Sequence, residues 1–377
     1  MAMSKDTSHL QDIPAADQNS LLADFWRTFK RNRLALTGLI VFLLFFVLAL
    51  LGLILTSGPD PVLDPAQVRL QDKLLPPLSY PADENLQHTH SPALGIYILG
   101  TDELGRDVLA RMLQGAWVSL TVGFVAVGIS VVVGICLGGI AGYFGNALFH
   151  LQAMLQGGLF LAAGLALLLS RPMAGISLLI LALLWLTLTW KKGKLDYSTL
   201  RQQGIAVDTL IMRFVDIMLC FPSFFLILTV IALLPASIYN IMIVIGLTSW
   251  MGTARFVRAE FLSLREQDFV LAARALGVSN ARIILQHMLP NALAPVFVSA
   301  TIGIATAILT EAGLSFLGFG VPPPQATWGN ILSEGKRFIF DAPWLTLIPG
   351  ISILIIVLAF NLFGEGLRDA LNPKLQE

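Results

Sequence analysis

Three ionisable side chains stand inside apolar runs of membrane length. Glu311 lies in Asn291–Leu317, Asp216 in Phe214–Leu234, and His150 near the start of Ala147–Ser170. A charge at the centre of such a run costs about 2.5–3.5 kcal/mol on insertion scales, so each needs a reason. An intramembrane carboxylate can hold a cation, pass a proton or contact a solute. Glu311 and Asp216 are therefore the candidates for a translocation path or gate. A structural reading stands beside each. Arg213 and Asp216 are three apart and can pair on one helix face near the interface. Glu311 can serve packing as readily as contact, and a lone His150 at a run's edge fits an interfacial residue. Cys136 and Cys220 sit in apolar runs and read as small core residues, with no disulfide or metal cluster implied. The pairs Gly193-Lys194 and Gly335-Lys336 are followed by Leu195 and Arg337, so there is no phosphate loop. No H-E-x-x-H, G-x-S-x-G or C-x-x-C occurs, so covalent chemistry and ATP cleavage find no residues here.

The elements that would position these residues follow from composition. The chain has 377 residues, 56% hydrophobic and only 13% charged, with 24 Lys and Arg against 24 Asp and Glu. Soluble domains carry about 25% charged residues. Half that density excludes a soluble globular enzyme, a disordered chain and a basic nucleic-acid binder. A bilayer core needs about 20 apolar helical residues per crossing. Eight runs qualify: Leu34–Thr56, Met112–Ala141, Ala147–Ser170, Pro172–Trp190, Phe214–Leu234, Ile238–Ala254, Asn291–Leu317 and Pro343–Gly364. The first begins too late, and is too long, for a cleavable signal peptide. With both termini in the cytoplasm, 17 of the 24 basic residues fall inside and 7 outside, as the positive-inside rule requires. The division is then a cytoplasmic tail over 1–33, a first span over 34–56, an extracytoplasmic loop over 57–111 and a core span over 112–145.

Two loops and one long connection carry most of the remaining signal. The extracytoplasmic loop is proline-rich and ends in Leu99-Gly-Thr-Asp-Glu-Leu-Gly-Arg-Asp107, where Thr101 or Asp102 is placed to cap a helix entering the second span. The cytoplasmic loop 255–290 reads as helix, turn, helix. Gly277 is placed for a left-handed stop, Ser279 for a second N-cap, and Pro290 to close the second helix. Ala272 and Ala273 give it a small-residue face that suits a docking surface. Over 318–342, Pro322, Pro323 and Pro324 forbid helix, Trp328 fits an interfacial anchor, and Ile331 to Phe340 can form a short outer helix.

The cytoplasmic loop resembles the E-A-A-x-x-x-G-x9-I-x-L-P loop of ABC importer permeases. Ala272, Ala273, Gly277, Leu289 and Pro290 fall at matching positions, whereas Leu271 replaces the Glu and His287 replaces the Ile. Leu99–Asp107, Gly142-Tyr-Phe-Gly145, Leu314-Ser-Phe-Leu-Gly318 and Ala359-Phe-Asn-Leu-Phe-Gly-Glu-Gly-Leu-Arg-Asp369 resemble the C-type permeases of dipeptide, oligopeptide and nickel importers. The resemblance implies an all-α, polytopic protein with the six-helix core of a type I ABC importer permease. The family runs almost directly from Gly-Tyr-Phe-Gly into the next helix. Here residues 146–206 intervene, an inserted membrane hairpin with a basic cytoplasmic linker around Lys191, Lys192 and Lys194. Its Leu-rich, uncharged spans suit a peripheral decoration, and 207–377 completes the core.

The function implied is ATP-driven import of di- or oligopeptides, with this chain forming half of the pathway in the bacterial inner membrane. The implied partners are a homologous second permease, two ATP-binding cassette ATPases and an extracytoplasmic solute-binding protein. ATP is used by the ATPases, and no cofactor is bound by this chain. Ala272, Ala273, Arg274, Gly277, Leu289 and Pro290 would form the ATPase-coupling loop. The alternatives are import of nickel or another small solute and, with thinner support from Glu311 and Asp216, an ion-coupled secondary transporter.

Overall fold

A computed structural model describes residues 18–82, 92, 95–145, 148–149, 177, 179–181, 183 and 205–371. The helices are α1 (Gln18–Arg31), α2 (Arg33–Thr56), α3 (Val108–Phe144), α4 (Val207–Leu219), α5 (Ser223–Leu233), α6 (Ile238–Leu264), α7 (Asp268–Ala275), α8 (Asn280–Phe316), α9 (Trp328–Gly335) and α10 (Trp344–Leu371). Among the described residues, α2, α3, α6, α8 and α10 are each long and apolar enough to cross a membrane, and the bent pair α4 and α5 makes a sixth crossing if counted as one. The all-α, multi-span expectation therefore holds. The run Phe214–Leu234 is not one straight helix, because it breaks at 220–222, where Pro222 takes away a backbone donor. The other apolar runs mark only the lipid-depth part of longer helices. α3 starts before Met112, α6 continues to Leu264, and α8 starts at Asn280.

The expected third and fourth spans, His150 and the cluster Lys191, Lys192 and Lys194 lie outside the described residues, save for Ser177, Leu179–Leu181 and Leu183, which are helical. The base of that insertion is described. Strands β1 (Leu148–Phe149) and β2 (Ile205–Ala206) pair antiparallel, Leu148 opposite Ala206. Its two ends thus leave and rejoin the core side by side. Deleting residues 146–206 should accordingly leave measurable peptide uptake in cells. A deletion that reaches the membrane in normal amount but transports nothing would show the insertion to be part of the core.

The chain forms two compact units. The first takes in α1, α2, the loop after it, the first part of α3, and the helical segments within 224–249 and 293–371. Here α2 lies against α10 through small residues. A Cβ on Gly38 would come within 2.8 Å of the Ala359 carbonyl, and one on Gly366 within 2.0 Å of the Ala35 Cβ. Close backbone approach of this kind is how helices associate where lipid supplies no hydrophobic drive. Phe42, Phe360 and Phe363 interlock their rings at the same seam, and Phe29 of α1 packs edge-on against Phe363.

The loop after α2 is ordered by polar side chains. Tyr97 donates to Asp72 Oδ2 at 2.7 Å and accepts from Arg69 Nη1 at 2.7 Å. Burial and the Asp72 bond push the Tyr97 hydroxyl up to about 12, so it stays a donor throughout the physiological range. The cap of α3 differs from expectation. Asp107, not Thr101 or Asp102, accepts from the Leu109 amide at 2.8 Å. Thr101 Oγ1 instead bonds the Asp72 carbonyl and accepts from the Leu75 amide. Asp102 turns inward. Its Oδ1 accepts from the Leu104 and Arg106 amides at 2.9 Å each, and its Oδ2 from Arg106 Nε at 2.7 Å and Arg111 Nη1 at 2.5 Å. Both arginines also bond Glu334 of α9. The Asp102 and Arg111 side chains are 1% and 3% exposed.

α9 begins with a capping box between Thr327 and Asn330, so the expected short helix is present, ending in a 3-10 turn at Lys336–Phe338. Trp328 is no interfacial anchor. It is fully buried and donates from Nε1 to the Met112 carbonyl at 3.1 Å. Gly115 leaves the room for it, since a Cβ there would stand 3.0 Å from the indole.

The second unit takes in the last part of α3, α4, the last part of α6, α7 and the start of α8. Gly134, Gly138 and Gly142 recur every four residues and line one face of α3. Added Cβ atoms would stand 2.7 Å from Thr253 Cβ, 2.4 Å from the Ala254 carbonyl and 2.5 Å from Phe261 Cβ. The small-xxx-small stripe sets the end of α3 directly on α6. Arg258 of α6 forks onto both oxygens of Asp208, in the first turn of α4.

Candidate coupling elbow and buried carboxylates

The elbow joining α6 to α8 is built from α7, a turn and the wide first turns of α8. Asp268 in the first turn of α7 complements the positive end of the helix. Val270 and Ala273, three apart, are buried, and that fixes the helix rotation. Phe269, Ala272 and Leu276 then share the outer face at i, i+3 and i+7, all exposed, Leu276 by 83%. The stop after α7 is a Schellman motif. Val278 N–H donates to the Ala273 carbonyl at 3.1 Å and Gly277 N–H to the Arg274 carbonyl at 3.0 Å. Gly277 has φ +75°, as the motif requires at that position. A Cβ added to it would meet nothing within 4 Å.

Ser279 stands at the N-cap of α8 with extended backbone, although its side chain makes no capping bond. Pro290 does not close the helix. The segment Ile283–Met288 is a π turn, with Leu289 N–H bonded to the Ile284 carbonyl, and α8 runs on through the proline to Phe316. The widened turn absorbs a residue that cannot donate, and Asn291 Nδ2 bonds the His287 carbonyl at 2.6 Å. Ile283 and Met288, five apart, are the buried residues of that turn, and Leu285 is exposed.

Of the six expected coupling residues, Ala272, Gly277 and Pro290 face outward, Leu289 is half-buried, and Ala273 points into the fold. Arg274 is exposed but directs its guanidinium over the Tyr143 ring, 4.9 Å from the centroid. Sequence reading missed Phe269, Leu276 and Leu285 as an exposed apolar set. Helical period does not point to them, because Phe269 and Leu276 stand four before and three after the buried Ala273 and so lie toward its side of the helix.

The two carboxylates lie apart in kind. Asp216 is part-exposed and bonds Arg255 Nη2 at 2.5 Å, whereas the expected partner Arg213 stands at 3.8 Å. It is a surface ion pair between α4 and α6, closer across helices than along one. Glu311 is 0% exposed. Its oxygens accept from Ser119 Oγ at 3.1 Å and Ser315 Oγ at 2.7 Å, and Thr327 Oγ1 joins Ser315 at 3.3 Å. Among the described residues, no basic side chain forms a salt bridge with it. In this arrangement it fastens α8 to α3 and, through Ser315, to the cap of α9.

The chain matches the binding-protein-dependent transport system inner membrane component family over residues 197–377. It matches the N-terminal transmembrane domain of oligopeptide transport permease C over residues 20–77. It is 36% identical to the dipeptide transport system permease protein DppC of Alkalihalophilus pseudofirmus, over 96% of this chain and 94% of that protein. It is 34% identical to the DppC of Haemophilus influenzae, over 94% and 96%. With the oligopeptide transport system permease protein OppC of Bacillus subtilis it shares 28%, over 95% and 91%.

Proposed function

We infer how this subunit works from one premise: the chain belongs to the family of binding-protein-dependent transport system inner membrane components, on its dipeptide and oligopeptide permease branch. It is a permease subunit of a peptide ABC importer, a multi-pass inner membrane protein and not an enzyme. In our reading both termini are cytoplasmic, which places the elbow on the same side as the ATPases. A homologous second permease completes the pathway, two ATPase subunits dock one on each elbow, and a solute-binding protein delivers peptide from outside. ATP is bound and split by the ATPases, and this chain binds no cofactor.

The observation that carries the coupling role is the outward row Phe269, Ala272 and Leu276 beside the open space at Gly277. An exposed apolar row on a short helix outside the membrane-length segments suits a protein groove better than water. Ala273 acts from within, and Arg274 is shared between the docking face and the fold. Glu311 and its hydroxyl partners serve as a fastening of the pathway wall, and Asp216 as an ion pair at the unit's surface.

Uptake by the complex reconstituted in proteoliposomes tests the function. Labelled dipeptide or oligopeptide should accumulate only with binding protein outside and ATP on the ATPase side. Accumulation driven by an ion gradient without ATP would overturn it in favour of a secondary transporter.

A further inference from the structure

We propose that Tyr143 is the positioning residue that ties the coupling elbow to the end of α3, so that a displacement of the elbow becomes a displacement of a membrane helix. The proposal rests on the elbow being the ATPase-docking element, as read above.

Tyr143 is the penultimate residue of α3 and is buried. One ring meets both arms of the elbow. Its hydroxyl donates to Asn280 Oδ1 at 2.7 Å, and Asn280 opens α8. Its face carries the guanidinium of Arg274, from the last turn of α7, at 4.9 Å. Between these two contacts lies only the Gly277 turn. A ring that merely filled space would need neither a directed hydroxyl bond nor a cation over its face. Both contacts are directional, and both are made to residues next to the turn.

The anchorage on the other side is rigid. Gly142 precedes Tyr143 and sits against Phe261 Cβ and the Arg258 carbonyl, where an added Cβ would stand at 2.5 and 2.8 Å. α3 therefore cannot roll on α6 to release the ring. An elbow pushed by a partner must then carry Tyr143, and α3 with it, or break the two contacts.

The test uses the full complex in proteoliposomes and reads peptide imported per ATP hydrolysed, together with a cross-link from an Ala272→Cys elbow to the ATPase. Tyr143→Phe keeps the ring and removes the hydroxyl. It should lower the ratio about fivefold, the size of one hydrogen bond, with ATP hydrolysis and the cross-link intact. Tyr143→Leu removes both contacts and should lower the ratio further. The double variant Tyr143→Phe with Asn280→Ala should be no worse than the worse single one, since both remove one bond. An unchanged ratio in Tyr143→Phe with the cross-link present overturns the proposal and leaves the docking reading standing. A proportional loss of hydrolysis, uptake and assembled complex also overturns it, by making Tyr143 structural only. A missing cross-link in the parent complex would instead sink the docking reading.

Discussion

Asp102→Ala should lower the stability of the protein by about 3–5 kcal/mol, the range for removing one partner from a buried charged network. The side chain is 1% exposed and accepts four hydrogen bonds, two from backbone amides and two from arginines. Removing it leaves the Arg111 guanidinium buried with Glu334 alone and unties the turn that leads into α3. In detergent, the apparent melting temperature should fall by roughly 4–6 °C, taking an unfolding entropy of about 2.1 cal/mol/K per residue. Glu103→Ala next to it removes a partly exposed carboxylate that forms no salt bridge among the described residues, and should change stability by no more than about 0.5 kcal/mol. Arg111→Lys separates charge from geometry. It keeps the cation but loses the fork that reaches both carboxylates, so its melting temperature should lie between wild type and Asp102→Ala. Equal melting temperatures for Asp102→Ala and Glu103→Ala would mean that the cluster is no more than a surface pair.

Structure is legible in this sequence where one short-range rule governs. Apolar runs located six of the eight expected spans among the described residues, one of them as a bent pair, because a helix satisfies every backbone group within its own segment in lipid. Gly277 was legible as a stop because a left-handed residue after a helical run has few alternatives to glycine. The failures share a cause, which is that a long-range partner overrode the local preference. Thr101 and Asp102 looked like caps because both are good N-cap types, but Asp72 and the Arg106–Arg111 pair claimed them, and Asp107 took the cap. Trp328 looked interfacial because Trp between membrane spans usually is, but Gly115, more than 200 residues earlier, opened a slot for it. Pro290 looked like a terminator because the π turn before it has no simple sequence signature. The same holds at the site. The turn was readable, whereas Tyr143 beneath it was not, because its bond to Asn280 spans 137 positions.

Gly277→Trp should leave the protein inserted and assembled with its second permease, yet reduce ATP-driven peptide uptake by at least about tenfold, a loss of roughly 1.4 kcal/mol in coupling. The space around this residue is open. An added Cβ meets nothing within 4 Å among the described residues, so a side chain at this position starts into open space. What remains is the backbone cost of a positive φ, about 1–2 kcal/mol for an ordinary residue. Gly277→Asn isolates that cost, because Asn tolerates the left-handed region. The Asn variant should therefore keep most uptake, within about twofold of wild type, if strain alone matters little. The difference between Asn and Trp then measures bulk presented to something outside the chain. On the coupling reading that something is the ATPase, and the Trp variant should also lose the cross-link from the elbow, while wild type and Asn keep it. Full uptake by Gly277→Trp would show that no partner approaches the turn and would remove the elbow from the coupling path. Equal losses in the Asn and Trp variants would place the defect in the Schellman stop itself, where Val278 and Gly277 bond the last carbonyls of α7, and not in docking.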